Sequence, residues 1–494
     1  MTVGFRSRVT MGYRRTNGRV VVLLACMSLA FSLRCPAQEV ELYELVLRNG
    51  RVVDPESGRD ERANIGIRAG KIAAIATTPL RGDRQIDVSG LVVAPGFIDI
   101  LGGVRFTREA HIQKVTDGVT TSMGMHGGPL DVKGYQERMS SMGPLVNYAK
   151  TVGHPQLRNA VGAIDRYKPA TVEQIRRMKE LARRTIRAGA AGIGFGINYT
   201  PGASYEEIFA LFEVAAAEGV PCHLHARYKG NIFPETMSLA TQEVIAMAAA
   251  TGAQAQVAHL ISSTVGSAPL CIKLLAGAAG HGVDVAFDFH VWTRNETTLQ
   301  SALYDPGWEE RFGGISYSQI YVSDTQERLT KDRFEELRAA PRDTRIQTEF
   351  IPESEIELAL RSPVGMVSSD GGGLVNGAGH PRSVGTFARL LGRYVRERKV
   401  LSLMEALRKI TLKPALRLEK SIPRMKKKGR LQSGCDADLT VFDPHTVRAR
   451  ATYAEPFRHS AGIEYVLVNG TLVVDRGKVV VNVAPGQWLR HPAP

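Results

Sequence analysis

The sequence has 494 residues, of which 44% are hydrophobic and 23% are charged, and its formal net charge is +14. A chain of this length and apolar content can bury a large core, which excludes a disordered protein and favours one large domain with an accessory domain. Six of the positive charges lie in residues 1–37, which contain no acidic residue. The run Arg424–Arg430 adds further charge and is interpreted as a solvated surface loop. Since no nucleic-acid-binding motif accompanies it, a nucleic-acid partner is not expected.

The first 37 residues are typical of an export signal. A basic start is followed by the apolar stretch Val20–Leu33 and then by Cys35-Pro36-Ala37, which ends on a small residue where signal peptidase cuts. The apolar stretch is too short to span a membrane. We therefore expect a signal peptide over residues 1–37, a mature chain that begins near Gln38, and a periplasmic or secreted protein without membrane attachment after signal removal.

Short β-branched runs, broken by turn signals, lie at both ends of the remaining chain. In the N-terminal part, Asn49-Gly50 and Ala69-Gly70 are typical of hairpin turns, and Asn469-Gly470 marks a similar turn in the C-terminal part. The simplest arrangement is one small β-sandwich built from residues 42–95 and 428–485. The rest of the chain would then be inserted between these two segments.

Residues 96–427 alternate strands with helices, which is typical of a parallel sheet. Several helices begin with a capping box, as Thr171 does with Gln174. Eight strand–helix units predict an α/β fold, a (β/α)8 TIM-like barrel whose chemistry lies at the C-terminal ends of the strands. The predicted strands cover residues 97–101, 121–125, 145–152, 192–199, 220–226, 256–261, 283–291 and 364–369.

The segment of about 293–362 is too long for a plain connection between the last two strands. It is expected to carry its own helices and to form a lid or wall over the site.

Polar residues follow four of the predicted strands. His126 follows strand two, His225 ends strand five, His259 follows strand six, and Asp370 follows strand eight in a tight Ser-Ser-Asp-Gly turn. A single histidine at a strand end is more often structural, and an isolated Asp-Gly is more often a turn cap. Their convergence at one barrel mouth instead predicts a zinc site with three protein ligands and an open position. Asp370 is expected at the metal and as the general acid/base that moves a proton from water to a leaving nitrogen.

The stretch from Pro221 to Gly230 contains two histidines and an arginine. His225 is taken as the ligand, and His223 is expected to face the opposite side of the strand. Arg227 is expected on the face of His225, where its guanidinium could hold a substrate carboxylate.

Passages throughout the chain carry a family resemblance. They are APGFID at Ala94, DGVTT at Asp117, GASYEEI at Gly202, HAR at His225, AHLISS at Ala258, SSDG at Ser368, HPRSVGTFARLLGRYV at His380 and GCDADLTVFDP at Gly434. On these passages the chain, from about Leu45 to Val473, resembles the amidohydrolase superfamily and, within it, the N-acyl-D-amino-acid deacylase (D-aminoacylase-like) branch.

The resemblance implies zinc-dependent hydrolysis of an amide bond, with His225 and His259 as ligands and Asp370 as the general acid/base. It also implies that Arg382 lies near the substrate carboxylate. His380, which precedes Arg382 after a glycine-rich segment, and Trp292, at the end of strand seven, are expected to line the substrate pocket.

The chain departs from the family pattern at three places. The family has a His-x-His pair after the first strand, where this sequence has Leu101 and Gly103, so the ligands of one of two metal positions are absent. His126 stands where a cysteine or glutamate is usual, and imidazole can replace thiolate on zinc. Ile261 stands where the family often has a lysine. We therefore expect one zinc per chain.

The sequence is interpreted as an exported amidohydrolase that cleaves an N-acyl bond of a small carboxylate-bearing substrate such as an N-acyl-D-amino acid. One alternative is a hydrolase of cyclic amides, similar to dihydroorotase or hydantoinase, since the fold alone does not choose a substrate. Another is a non-catalytic relative that binds a ligand at the barrel mouth, against which the joint presence of His225, His259 and Asp370 argues. The sequence does not indicate an oligomeric state.

Overall fold

The computed structural model describes residues 42–372 and 379–492. The predicted signal peptide, residues 1–37, and most of the glycine-rich segment before His380 lie outside the described residues. No helix within the described ranges combines the length and the apolar character needed to cross a membrane.

The two ends of the described chain share one β-rich domain. Nine strands form a single hydrogen-bonded sheet in the order β21-β20-β19-β18-β5-β1-β2-β3, with β4 also paired to β1. The sheet covers a core of alternating apolar residues from both ends, including Ile65, Val93 and Leu467. Its strands are β1 (Leu42–Asp54), β2 (Arg59–Arg68), β3 (Lys71–Ala76), β4 (Arg81–Asp87), β5 (Val92–Pro95), β18 (Leu439–Phe442), β19 (Ile463–Val468), β20 (Thr471–Asp475) and β21 (Lys478–Val479).

Two of the three predicted hairpin turns of this domain are present. Ala69-Gly70 joins β2 to β3, and Asn469-Gly470 joins β19 to β20. The prediction at Asn49-Gly50 is wrong, because β1 continues through these residues with an irregularity in its pairing to β2. Asn49 has a φ of 64°. An Asn-Gly pair is compatible with a bulge as well as with a hairpin turn, because both conformations require a residue with positive φ.

Eight parallel strand positions follow, as the sequence predicts for a TIM-like barrel, and the fold class is confirmed. One sheet has the order β6-β7-β8 and another the order β17-β13-β12-β11-β10-β9, with β8 and β9 separated by a single residue. The strands are β6 (Phe97–Asp99), β7 (Val119–Gly124), β8 (Asn147–Lys150), β9 (Val152–Gly153), β10 (Ile193–Gly196), β11 (Cys222–His225), β12 (Ala255–Val257), β13 (Val285–Phe289) and β17 (Gly365–Val367).

Helices cover the strands, and α4 (Val172–Arg187) begins with the capping box predicted at Thr171. The side chain of Thr171 accepts from the backbone N–H of Gln174 in a complete capping box, which satisfies amides left free at a helix start. The helices are α1 (Arg108–Val115), α2 (Val132–Met142), α3 (His154–Ala160), α4 (Val172–Arg187), α5 (Tyr205–Glu218), α6 (Met237–Thr251), α7 (Ala268–Gly280), α8 (Trp308–Arg311), α9 (Lys331–Ala339), α10 (Glu353–Arg361), α11 (Arg382–Arg389), α12 (Leu403–Ile410) and α13 (Leu412–Leu418).

Side chains join the first and last barrel strands. The backbone N–H of Ser369 donates to Asp99 at 2.8 Å, and the buried ammonium of Lys114 donates to Asp99 at 2.7 Å and to the Ser369 hydroxyl at 2.8 Å. Asp99 and Lys114 are almost fully buried, so removing either partner would leave an uncompensated charge in the core. This cluster, which we call the seam, therefore fixes the backbone immediately before Asp370.

The segment between β13 and β17 has its own small sheet and core. The sheet consists of β14 (Arg294–Thr298), β15 (Ile320–Val322) and β16 (Arg345–Glu349), in the antiparallel order β14-β16-β15. Trp308 and Phe334 stack at 5.3 Å between ring centroids within a separate apolar cluster. The segment is thus a folded wall beside the barrel mouth, and β14 faces the site described below.

The interpretation of Arg424–Arg430 as a solvated loop is wrong for part of the run. Lys428 is buried, and its ammonium lies 2.9 Å from Asp436 and 2.6 Å from Asp438. Arg430 is also buried and donates to Glu419 at 2.9 Å. Lys428 and Arg430 therefore form ion pairs inside the protein, because burying a cation is costly unless it has an anionic partner.

Candidate metal centre

The four residues predicted at strand ends come together at the barrel mouth. His225 is the last residue of β11, His126 and His259 follow β7 and β12 by two residues, and Asp370 follows β17 by three. Because the strands are parallel, their carboxyl ends meet at one rim. All four residues line one cavity of about 200 Å³, which we call the histidine cavity.

The three histidines form a compact cluster. Their ligating atoms lie within 4.8 Å of one another, and among residues 42–372 and 379–492 this is the one group of three or more metal-ligand side chains so placed. His259 Nε2 lies 2.7 Å from His225 Nδ1, and the rings of His126 and His225 have centroids 4.0 Å apart. Ring nitrogens this close share a proton or a common cation.

The electrostatics keep these rings neutral. Burial, reinforced by the neighbouring imidazoles, holds the pKa values of His126 and His225 well below 6.5, and burial also lowers that of His259. His126 Nε2 and His259 Nδ1 are buried with no hydrogen-bond partner among the described residues. A neutral imidazole with a free nitrogen is the form that binds a divalent metal, so the residues present fit zinc.

A buried carboxylate, that of Asp288, holds residues of the histidine cluster in place by hydrogen bonds. Asp288 on β13 accepts from the backbone N–H of His259 at 3.0 Å and from the Ser368 hydroxyl at 2.8 Å, and it lies 2.8 Å from His223 Nε2. Burial works to raise the pKa of Asp288, but the contacts with His223 and Gln256 outweigh it and the net pKa is lowered. Partners of this kind fix the orientation of metal-binding groups.

The prediction that His223 faces away from His225 is wrong. Side chains at i and i+2 of a strand share a face, so His223 and His225 point to the same side of β11. The His223 ring lies 6.3 Å from that of His126, within the barrel. Its bond to Asp288 makes it a supporting residue of the cluster.

Asp370 lies beside the cluster in a constrained conformation. Its φ is 50°, and His259 has a φ of 34°, both rare for residues with side chains. Asp370 Oδ1 lies 3.8 Å from His126 Nε2, and Oδ2 lies 2.7 Å from the Arg382 guanidinium. Burial raises the pKa of Asp370 above 3.8, although Arg382 and His259 oppose the shift. A carboxyl group with a raised pKa in a cavity is suited to taking up and releasing a proton.

Several cavity residues were not predicted from the sequence. Asn198 and Tyr199 follow β10, and the Tyr199 ring lies 5.1 Å from that of His225. β14 contributes Asn295, Glu296 and Thr297. The strand-end rule that found the histidines could also have found Asn198 and Tyr199, whereas the β14 residues lie on an insertion outside the barrel pattern.

Lys229 is a further unpredicted cavity residue. It is 5% exposed, and its ammonium lies over the rings of Phe312 and Phe350 at 4.9 and 4.7 Å. Burial lowers the pKa of Lys229 to about 7.

The expectation that Arg227 faces the site and binds a substrate carboxylate is not met by the structure. Its guanidinium donates to both carboxylate oxygens of Glu243, at 2.9 and 2.8 Å, and to the carbonyl oxygen of Ala203 at 2.6 Å. It lies 4.5 Å over the Tyr205 ring and lines a neighbouring cavity instead. β11 ends at His225, so the alternation of strand side chains no longer holds at Arg227.

Trp292 and His380, predicted to line the pocket, lie behind its wall. The Trp292 indole N–H donates to Thr386 at 3.1 Å, and His380 Nε2 lies 2.9 Å from the carbonyl oxygen of Arg294. His380 Nδ1 accepts from the backbone N–H of Arg382 at 3.1 Å. Both side chains are buried with their polar atoms occupied, so they hold the start of α11 rather than contact a ligand.

A second cavity, of about 220 Å³, lies beside β6 and shares His126 and Asp370 with the first. We call it the strand-one cavity. It is lined by Leu101, Gly103 and Lys150, and a Cβ built on Gly103 would lie 3.9 Å from the Lys150 ammonium nitrogen. The two positions that lack histidines thus face a lysine rather than a ligand set.

A parallel barrel with a β-rich domain from both chain ends and a histidine cluster at its mouth defines a metal-dependent hydrolase architecture. Comparison with known proteins agrees. The model of the amidohydrolase family matches residues 157–474. The chain is 32% identical to the N-acyl-D-glutamate deacylase of Alcaligenes xylosoxydans xylosoxydans, over 92% of this chain and 98% of that protein.

Two solved structures are similar over 91% of this chain and 100% of their own. One is the N-acyl-D-glutamate deacylase of Bordetella bronchiseptica with zinc and a phosphonate mimic of the tetrahedral intermediate, with a TM-score of 0.77 and 28% identity. The other is a D-aminoacylase with a binuclear metal centre, described as activated by one metal and attenuated by the second, with a TM-score of 0.78 and 25% identity.

The chain belongs to the amidohydrolase family, and its likeness to the deacylases extends along nearly the whole of both chains. The family prediction is confirmed, and the protein is a hydrolase of carbon–nitrogen bonds other than peptide bonds.

Proposed function

We propose that the protein is an exported, single-metal amidohydrolase that cleaves the N-acyl bond of a small carboxylate-bearing substrate, such as an N-acyl-D-amino acid. The observation that carries the proposal is the convergence of three neutral histidines and Asp370 on one cavity. The similarity to deacylases that act on N-acyl-D-amino acids supports the substrate class.

His126, His225 and His259 would hold the metal, with Asp370 beside them. A bound zinc polarises the scissile carbonyl and acidifies water. Asp370 accepts the proton of the attacking water and returns it to the leaving nitrogen, and its raised pKa suits both transfers. The ion pair with Arg382 holds the carboxylate at this place and limits the rise of its pKa.

We propose one zinc per chain. Leu101 offers only hydrocarbon and Gly103 has no side chain, so neither can replace a histidine ligand. The amine of Lys150 reaches the same cavity and, when protonated, disfavours a second cation.

The experiment that tests the function is a substrate screen of the zinc-reconstituted protein. N-acyl-D-amino acids, N-acyl-L-amino acids, dipeptides and cyclic imides are compared at equal concentration. Hydrolysis of the N-acyl-D-amino acids supports the proposal. Turnover of cyclic imides alone would favour a cyclic-amide hydrolase, and binding without turnover of any of them would favour a non-catalytic relative.

Export is tested separately. N-terminal sequencing of protein purified from its native host is expected to begin near Gln38, because cleavage after Ala37 follows from the basic, apolar and small-residue order of the leader. An intact N-terminus on cytoplasmic protein would contradict export without affecting the catalytic proposal.

A further inference from the structure

Two cations, Arg382 and Lys229, line the histidine cavity, and Arg227 lines a cavity beside it. Both arginines already have anionic partners. Arg382 pairs with Asp370 at 2.7 Å, and Arg227 pairs with Glu243 at 2.8 Å. The ammonium of Lys229 has no hydrogen-bond partner among residues 42–372 and 379–492. Segment 373–378, GLVNGA, contains no acidic residue that could supply one.

The loop that carries Lys229 is held against the inserted wall. Gly230 has a φ of +125°, and a Cβ on it would lie 2.0 Å from the carbonyl oxygen of Arg311. Its N–H donates to the carbonyl oxygen of Ser263 at 2.9 Å. Only glycine permits this close approach, so the backbone next to Lys229 is fixed by neighbours on both sides.

An ammonium buried without an anion is costly, because burial removes its water and nothing replaces it. The rings of Phe312 and Phe350 attract the cation but provide no negative charge. The described residues supply no hydrogen-bond partner for the ammonium, so it is available to an anionic group from outside them. The cavity that Lys229 shares with His225, His259 and Asp370 is where a ligand would bring it.

We propose that the ammonium of Lys229 binds the substrate carboxylate in the histidine cavity. The cavity would therefore favour anionic N-acyl substrates over uncharged ones. This inference rests on the proposed function for the identity of the ligand. A carboxylate could come from the α-carboxyl group or from an acidic side chain, and both present the same chemistry to the ammonium.

The test compares Lys229→Met and Lys229→Arg with the unaltered full chain. The zinc-loaded proteins are assayed on N-acetyl-D-leucine, N-acetyl-D-glutamate and N-acetyl-D-leucinamide. Lys229→Met is expected to lose on the order of ten- to a hundredfold in kcat/KM on the carboxylates, mainly through KM, since a charge-assisted hydrogen bond is lost. The amide should change less than about threefold, and Lys229→Arg should recover part of the loss.

The three substrates distinguish the sources of the carboxylate. An equal loss on both acids assigns the α-carboxyl group, and a loss confined to N-acetyl-D-glutamate assigns the side-chain carboxyl. Lys273→Met, which removes an exposed lysine on α7, is the matched control and should change none of these values.

Equilibrium binding to the metal-free proteins gives a readout that does not depend on turnover. Calorimetry should show weaker binding of the acids, but not of the amide, to Lys229→Met. Thermal unfolding checks its fold, and replacing an unpaired buried ammonium by a side chain of similar length should not lower the Tm. Absence of hydrolysis by the unaltered protein would overturn the proposed function alone. Unchanged binding of the acids, or equal losses on acid and amide, would overturn the role of Lys229.

Discussion

The histidine cavity and the strand-one cavity meet at His126 and Asp370, yet they offer different chemistry. The first brings neutral imidazoles together, which attracts a divalent cation, whereas the second presents Leu101, Gly103 and the amine of Lys150. Both are built at the carboxyl ends of strands in the same barrel. The capacity to bind a metal therefore depends on the few side chains at the rim, and two parts of one rim can differ in that capacity on the same scaffold.

Removing a ligand from the histidine cavity should have the largest effect on the metal centre. His225→Ala or His259→Ala is expected to abolish zinc retention and turnover. The loss should exceed the roughly 10–100-fold loss of metal affinity or activity that follows when a residue hydrogen-bonded to a ligand is altered. Elemental analysis and kcat measure the two effects. Full zinc content in both variants would place the metal elsewhere.

Asp370→Asn separates metal binding from proton transfer in the histidine cavity. The amide cannot accept a proton, so kcat should fall on the order of a hundredfold or more while about one zinc per chain remains. Steady-state kinetics and elemental analysis on the same preparation check both. Near-normal kcat would assign the proton transfer to another group.

Arg382→Met tests what the arginine does for Asp370. The guanidinium lowers the pKa of the carboxyl, so its removal should raise that pKa further. A general base works in its ionised form, so activity should be lost at a higher pH on the acidic side of the profile. If kcat/KM fell by a factor equivalent to about 1.5–3 kcal/mol for acids alone and the profile did not move, Arg382 would act on the substrate carboxylate instead.

Leu101→Ala makes the smallest functional change and tests the strand-one cavity. Leu101 is 3% exposed, so its truncation should lower the free energy of unfolding by about 2–5 kcal/mol. Zinc content and kcat should stay unchanged, because no ligand is lost. Two tightly held metals per chain in the unaltered protein would contradict the single-metal proposal.

Most of the barrel and the residues of the histidine cluster follow from local sequence patterns. Strand–helix alternation predicts the eight positions, and the strand-end rule places His126, His225, His259 and Asp370 at one rim. The rule fails once a strand has ended. Arg227 turns away to Glu243, because the backbone direction after β11 depends on packing against other elements.

The residues that sequence patterns missed are positioned by contacts distant in the chain. Lys229 lies in a loop held by Arg311 and Ser263, and neither is close to it in sequence. Trp292 and His380 end or follow barrel elements as predicted, but their polar atoms find partners within the wall. Local sequence patterns do not predict whether a side chain faces the histidine cavity or packs behind the residues that line it.

The seam separates two properties of the centre. His225 and His259 lie at the ends of neighbouring strands joined by a backbone ladder, whereas the residue before Asp370 is held by side chains, namely Asp99 of β6 and Lys114 of α1. If the hydrogen bonds of the seam open locally, His225 and His259 would stay together, but the Asp370 carboxylate would no longer be held in a fixed position. On gentle heating or in dilute denaturant, the protein should then lose activity before it unfolds globally, while the metal is still bound.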